Sequence, residues 1–330
     1  MSVKSKSMSG SIPRRGFCKV MGGGILGAAT MYGSEASAMS KSPKNDGEQL
    51  YDCKELFPPG RFTRGMEGPC VAPDGTIYCV ALDTINDIGM VTPDGQVSKF
   101  LNLPDEGAAN GIRINSEGKM FIADYKNHNI FKVDIKTKKL SLFAHEPKMN
   151  QPNDLAIRSD NVMFATDPNW GKRTGQLWRI DTDGSTTLLD GNLHTTNGID
   201  LSPDEKTLYI NQSFAYNILA FDLSPKGDVS NKREIINFAD DISQDGMRID
   251  CMGNLYTTRH GKGVIAKVNP QGKILQEIHV ANGLKPSNIC FGGSDGCTAY
   301  MTHHDTKNIQ YFRVEHPGRN WMLYKKWGLI

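Results

Sequence analysis

No stretch beyond residue 38 approaches 18 consecutive apolar residues, so that part of the chain offers no hydrophobic segment long enough to span a bilayer as a helix. Charge of one sign is lacking too. Lys and Arg total 38 against 36 Asp and Glu, a formal charge of +2, which excludes the basic stripe of a nucleic-acid binder. No GxSxG element with His and Asp partners supports a serine hydrolase. CxxC pairs and Cys/His clusters with zinc spacing are also missing. Heptad stripes are absent, so a helical solenoid or coiled coil does not fit. Asp181-Thr-Asp-Gly and Asp154 lack the DxDxDG order and the twelfth-position Glu of a calcium-binding helix–loop–helix, and read as turns.

Turn formers are plentiful. The 330 residues include 34 Gly and 16 Pro, too many to leave room for long helices, and the composition predicts a turn-rich, all-β protein. The first 38 residues stand apart from this. Ser11-Ile12-Pro13-Arg14-Arg15-Gly16-Phe17-Cys18-Lys19 reads as a twin-arginine export motif. A Gly-rich, weakly apolar stretch follows from Val20 to Gly33, and Ala36-Ser37-Ala38 supplies a small-residue cleavage site. The expectation is a cleaved signal peptide over 1–38, recognised by the twin-arginine export machinery, and a mature domain over 39–330 in the periplasm or outside a bacterial cell. Cleavage leaves six cysteines, Cys53, Cys70, Cys79, Cys251, Cys290 and Cys297. Their pairing or freedom stays open at this point.

One unit recurs along the rest of the chain: a small polar anchor, alternating apolar residues, a turn such as Pro-Asp-Gly, then a second β-rich run. The anchors are Glu67, Asn110, Asn153, Asn197, Asp245 and Ser287, at spacings of 43, 43, 44, 48 and 42 residues. Two further strand-like runs complete each unit, as in Asn129–Asp134 and Leu140–Ala144. Four short strands per 40–45 residues is the signature of a propeller blade. The reading is therefore a single six-bladed β-propeller with four antiparallel strands per blade. An N-terminal strand within Leu50–Phe57 is expected to close the ring.

In such a ring each anchor starts an innermost strand, so all six should converge near one mouth of the central channel. Every anchor carries a side-chain oxygen and two are carboxylates, a donor set that suits a hard cation better than zinc.

At these residues the chain resembles the senescence marker protein/gluconolactonase/regucalcin-like family of calcium-dependent lactonases, related to diisopropylfluorophosphatase and paraoxonase. The resemblance runs from about Tyr51 to Val314. It is carried by Glu67-Gly-Pro, Asn153-Asp-Leu, Asn197-Gly-Ile-Asp-Leu-Ser-Pro-Asp, Asp245-Gly-Met, Asn288-Ile-Cys-Phe-Gly-Gly and Phe164-Ala-Thr-Asp-Pro-Asn-Trp-Gly171. It implies one divalent cation, Ca2+ before Zn2+, Mg2+ or Mn2+, held by Glu67, Asn153, Asn197 and Asp245. It also implies hydrolysis of a small lactone or ester, with Asp245 as base or nucleophile. Rivals are phosphotriester hydrolysis at the same ion and a non-catalytic ligand-binding propeller. Asn110, Gln151, Trp170 and His303 are the expected substrate contacts. Gln151 stands where relatives carry an Arg that touches a sugar acid, and His128 reads as a surface-loop residue.

Overall fold

The computed structural model describes residues 49–330; the export motif, its cleavage site and Cys18 lie outside the described residues. The described residues form six antiparallel sheets of four strands, a six-bladed β-propeller, followed by one helix. Each repeat of the sequence becomes one blade. The inner strands are Cys70–Val71, Ala109–Ile114, Leu155–Ile157, Thr196–Leu201, Ser243–Ile249 and Pro286–Gly292. They are almost wholly buried, whereas outer strands such as Val229–Asn237 alternate between half-buried and exposed. This follows from position. An inner strand faces neighbouring blades and the axis, while an outer strand has one face in water. Lys54–Glu55, shorter than the expected strand, lies outermost on the sixth sheet. There it pairs antiparallel with Ile309–Arg313.

The blade turns use the residues that marked them. Asp74 Oδ1 accepts the Thr76 amide at 2.9 Å, and Gly75 sits at φ +87°, a conformation that costs other residues a Cβ clash. Between blades, apolar residues from facing sheets interlock. Phe164 and Leu177 of the third blade pack with Ile199, Ile210 and Phe221 of the fourth. Burying one such side chain contributes about 1.5–3 kcal/mol. All six cysteines among the described residues are free thiols. Cys70, Cys79, Cys290 and Cys297 are buried and pack as small apolar groups.

The glycines that follow the anchors have a purpose the turn reading did not give them. A Cβ on Gly111 would lie 2.8 Å from the Asn153 carbonyl oxygen, and one on Gly198 would lie 2.4 Å from the Met247 nitrogen. Inner strands of adjacent blades thus approach backbone to backbone. At the same points the ladder to the second strand shifts register, between Ala109 and Ile112, Thr196 and Ile199, Gln244 and Met247, and Pro286 and Ile289. Such irregularities re-aim side chains. Asn110, Asn197, Asp245 and Ser287 stand inside these interruptions, and Glu67 and Asn153 lie just before their inner strands.

Among the described residues the tail is the one helical departure from β structure. Arg319–Lys326 forms a helix against the far ends of the inner strands. Tyr324 Oη donates to the Val71 carbonyl at 2.9 Å, Asn320 Nδ2 to that of Phe291 at 3.0 Å and Trp327 Nε1 to that of Ser159 at 2.9 Å. The helix therefore covers the channel end opposite the anchors. No helix among the described residues is long and apolar enough to cross a membrane.

The close approach of strands predicts that Gly198→Ala, whose added methyl meets only backbone, destabilises the fold by about 1–3 kcal/mol, read as a lower midpoint in urea denaturation.

Candidate active site

Five anchors, Glu67, Asn110, Asn153, Asn197 and Asp245, line one cavity of about 500 Å³ at the channel mouth. Ser287 does not. It is fully buried, donating to the Met66 carbonyl at 2.9 Å and bonded to Thr302 Oγ1 at 2.8 Å, so its oxygen is committed to holding blades together.

The polar groups of the cavity are set by specific bonds. Asn197 Nδ2 donates to Asp245 Oδ1 at 2.7 Å and to Ser213 Oγ at 3.1 Å. Both bonds use the amide nitrogen, which leaves Oδ1 as a free lone-pair donor. Asn153 is buried; its backbone N–H donates to the Thr166 carbonyl at 2.8 Å, and its side-chain amide makes no hydrogen bond within the described residues. Asn110 Oδ1 is buried without a hydrogen-bond partner among the described residues. Glu67 Oε2 accepts the Gly68 amide at 3.1 Å. Among the described residues no Lys or Arg pairs with Glu67 or Asp245. Burial raises the proton affinity of both carboxyls above the ordinary range. The charge of Glu67 adds to this at Asp245, and that of Asp154 adds to it at both. Two carboxylates and several uncommitted amide oxygens converging at one channel mouth form a donor set that suits a hard divalent cation.

Beneath the mouth lies a second charged cluster, unforeseen in the sequence. Asp154, fully buried, accepts Arg113 Nη2 at 2.8 Å, Arg248 Nη1 at 2.7 Å and Arg248 Nη2 at 3.1 Å. Burial alone would raise its carboxyl, but the two guanidinium groups hold it below the usual range. Asp154 is therefore an axial ion-pair centre rather than the turn residue its sequence context suggested. A signal was present. Arg113 and Arg248 both sit three residues after their anchors, in phase on buried strands, and Asp154 follows its anchor where Gly follows others.

The remaining expected contacts divide. Trp170 lines the cavity and meets Phe214 edge to face at 5.8 Å between ring centres. Gln151 lies outside the lining, half-buried, its backbone N–H donated to Asp167 Oδ1 at 2.5 Å. His303 is fully buried and turned away, with Nδ1 2.5 Å from Asp305 Oδ1. His304 is the histidine that lines the cavity, opposite His260 of the fifth blade. Burial pushes the His304 imidazole down to about 4, with His260 adding to the effect. His128 occupies the loop after Lys119–Asp124, as read. Tyr125, Trp170, Phe214, His260 and His304 all fall within two residues of the end of a second strand. This second ring of wall residues recurs with the blade period.

A family model described as SMP-30/Gluconolactonase/LRE-like region matches residues 66–305. Gluconolactonase of Zymomonas mobilis is 30% identical over 278 residues, covering 74% of this chain and 78% of that protein. Regucalcin of Gallus gallus is 31% identical over 134 residues, 40% of this chain and 44% of that one. Among solved structures, a calcium-binding protein, regucalcin, from Agrobacterium tumefaciens superposes with a TM-score of 0.70 at 18% identity, covering 82% of this chain and 95% of that one. A gluconolactonase from Xanthomonas campestris gives 0.68 at 22% identity, covering 79% and 89%. At these identities the structural likeness speaks for the fold.

Breaking the axial ion pair leaves two buried guanidinium groups without compensation. Asp154→Asn is expected to cost about 3–5 kcal/mol of stability, measured by urea denaturation; a loss under about 1 kcal/mol contradicts the assignment.

Proposed function

The chain belongs to the SMP-30/gluconolactonase/LRE-like family, and on the chemistry of its cavity we propose that it is a divalent-cation-dependent lactonase. The observation that supports this reading most is that Glu67 and Asp245 share one cavity at the channel mouth whose lining includes no Lys or Arg. Glu67, Asn153, Asn197 and Asp245 would hold the ion. When bound, it supplies a Lewis acid that polarises the lactone carbonyl and offsets the charge developing on its oxygen.

The rest of the chemistry falls to the chain's own side chains. Asn197 holds the Asp245 carboxylate through its amide nitrogen, so one orientation faces the substrate. Asp245 takes the proton of the attacking water and returns it to the ring oxygen as the acyl C–O bond breaks, or its carboxylate attacks the carbonyl carbon itself, displacing the ring oxygen to leave an anhydride that water then cleaves. A single turnover in 18O-labelled water separates these, since only the second route can leave label in the Asp245 carboxylate, whereas the first places it in the product acid. Tyr125, Trp170 and Phe214 wall the cavity with rings that exclude bulk water and offer flat faces to a small cyclic ester. The cavity volume of about 500 Å³ suits a substrate of that size.

The test compares lactones with phosphotriesters for the purified chain supplied with Ca2+. Lactone hydrolysis is expected, with Asp245→Asn lowering kcat on the order of 10²–10³-fold or more while the circular dichroism spectrum is unchanged. Hydrolysis of phosphotriesters alone, or undiminished lactone turnover in Asp245→Asn, contradicts the reading.

A further inference from the structure

The oxygen donors are joined at the mouth by nitrogen. His260 ends the strand Leu255–His260 of the fifth blade, and His304 directly follows Thr298–His303 of the sixth. Their rings meet edge to face at 5.2 Å, with His260 Nε2 3.2 Å from His304 Nδ1. Candidate ligand atoms of Asp245, His260 and His304 all lie within 4.8 Å of one another. Among the described residues His304 Nε2 is buried without a hydrogen-bond partner, and Glu67 Oε1 lies 3.7 Å from it. That separation is too long for a hydrogen bond. It does suit two donors on one ion, because metal–ligand bonds of about 2.0–2.2 Å place neighbouring donors roughly 3–4 Å apart.

We propose that His304 contributes Nε2 to the cation site, alongside Glu67 and Asp245, and that His260 is its positioning residue. These parts correspond to one tautomer of the contact between the rings. With His304 Nδ1–H donated to His260 Nε2, the lone pair of His304 Nε2 is free, which is how a ligating imidazole is ordinarily oriented by its second nitrogen. The sixth blade, whose own anchor Ser287 is committed elsewhere, thus supplies a donor from the end of its second strand. The consequence concerns ion selection. An all-oxygen shell favours Ca2+, whereas an imidazole among carboxylates favours a borderline first-row ion such as Zn2+. This inference rests on the cation site of the proposed lactonase and specifies which ions it accepts.

The test loads the metal-free full chain with one equivalent of Mn2+ and records pulsed electron paramagnetic resonance for coupling to 14N. Zn2+ and Ca2+ affinities are measured in parallel by isothermal titration calorimetry. The expected result is 14N coupling in the wild type and its loss in His304→Asn. Zn2+ affinity should fall at least about tenfold in His304→Asn and about 10–100-fold in His260→Ala, with Ca2+ affinity changed much less. Mn2+ bound without 14N coupling, or Zn2+ affinity unchanged in His304→Asn, overturns the histidine donor while leaving the oxygen site standing. Failure of the wild type to bind Ca2+, Mn2+ or Zn2+ removes both readings. Nitrogen-coordinated metal without lactone turnover removes the proposed function and keeps the donor.

Discussion

Three blades meet on one carboxylate. Asp154 of the third blade draws Arg113 from the second and Arg248 from the fifth across the channel axis, all three side chains buried. A propeller whose blades touched only their neighbours would transmit position around the ring. This cluster instead ties blades directly through the centre, at the level just below the anchors. The glycines make room for it: a Cβ on Gly111 would sit 2.9 Å from Asp154 Oδ1, and one on Gly246 would strike Asn288. Asn288, in turn, reaches Asp154 Oδ2 at 3.4 Å. The geometry of the mouth depends on this floor.

Charge is distributed unequally along the axis as a result. The floor balances an acid with guanidinium groups, and farther down Arg319 of the helix joins Glu205, with Nη2 2.6 Å from Oε1, and lies 3.5 Å from Asp200. The mouth has no such balance. Glu67 and Asp245 sit with amides, imidazoles and aromatic rings, and burial makes their ionised forms costly until positive charge arrives. On the proposed reading this mouth receives a cation, whose charge a polarised substrate oxygen would share.

The fold was legible because it repeats. Anchor spacing near 44 residues and the Pro-Asp-Gly turns carried the blade count, since β turns leave local signatures that survive without knowledge of the partner strand. The ring of anchors was legible for the same reason, apart from Ser287, whose hydroxyl has the right chemistry but is bonded to Met66 and Thr302. What escaped depends on long-range contact. Arg248 and Asp154 are 94 positions apart, and only the fold shows that they touch. His303 and His304 are adjacent in sequence but face opposite ways at the end of a strand, so a one-residue difference decides which reaches the cavity. The C-terminal helix is eight residues long, too short for a periodic pattern, and its burial is set by the channel end it covers.

That two carboxylates and two amides from four blades form one cation site is the claim on which the account stands. It is tested most directly by counting ions. The purified full chain, dialysed against a mixture of divalent ions, should retain one per molecule by elemental analysis, and Glu67→Gln combined with Asp245→Asn should retain none while keeping its β-sheet circular dichroism. A wild-type chain that retains no divalent ion, or a double variant that retains it undiminished, would contradict the account.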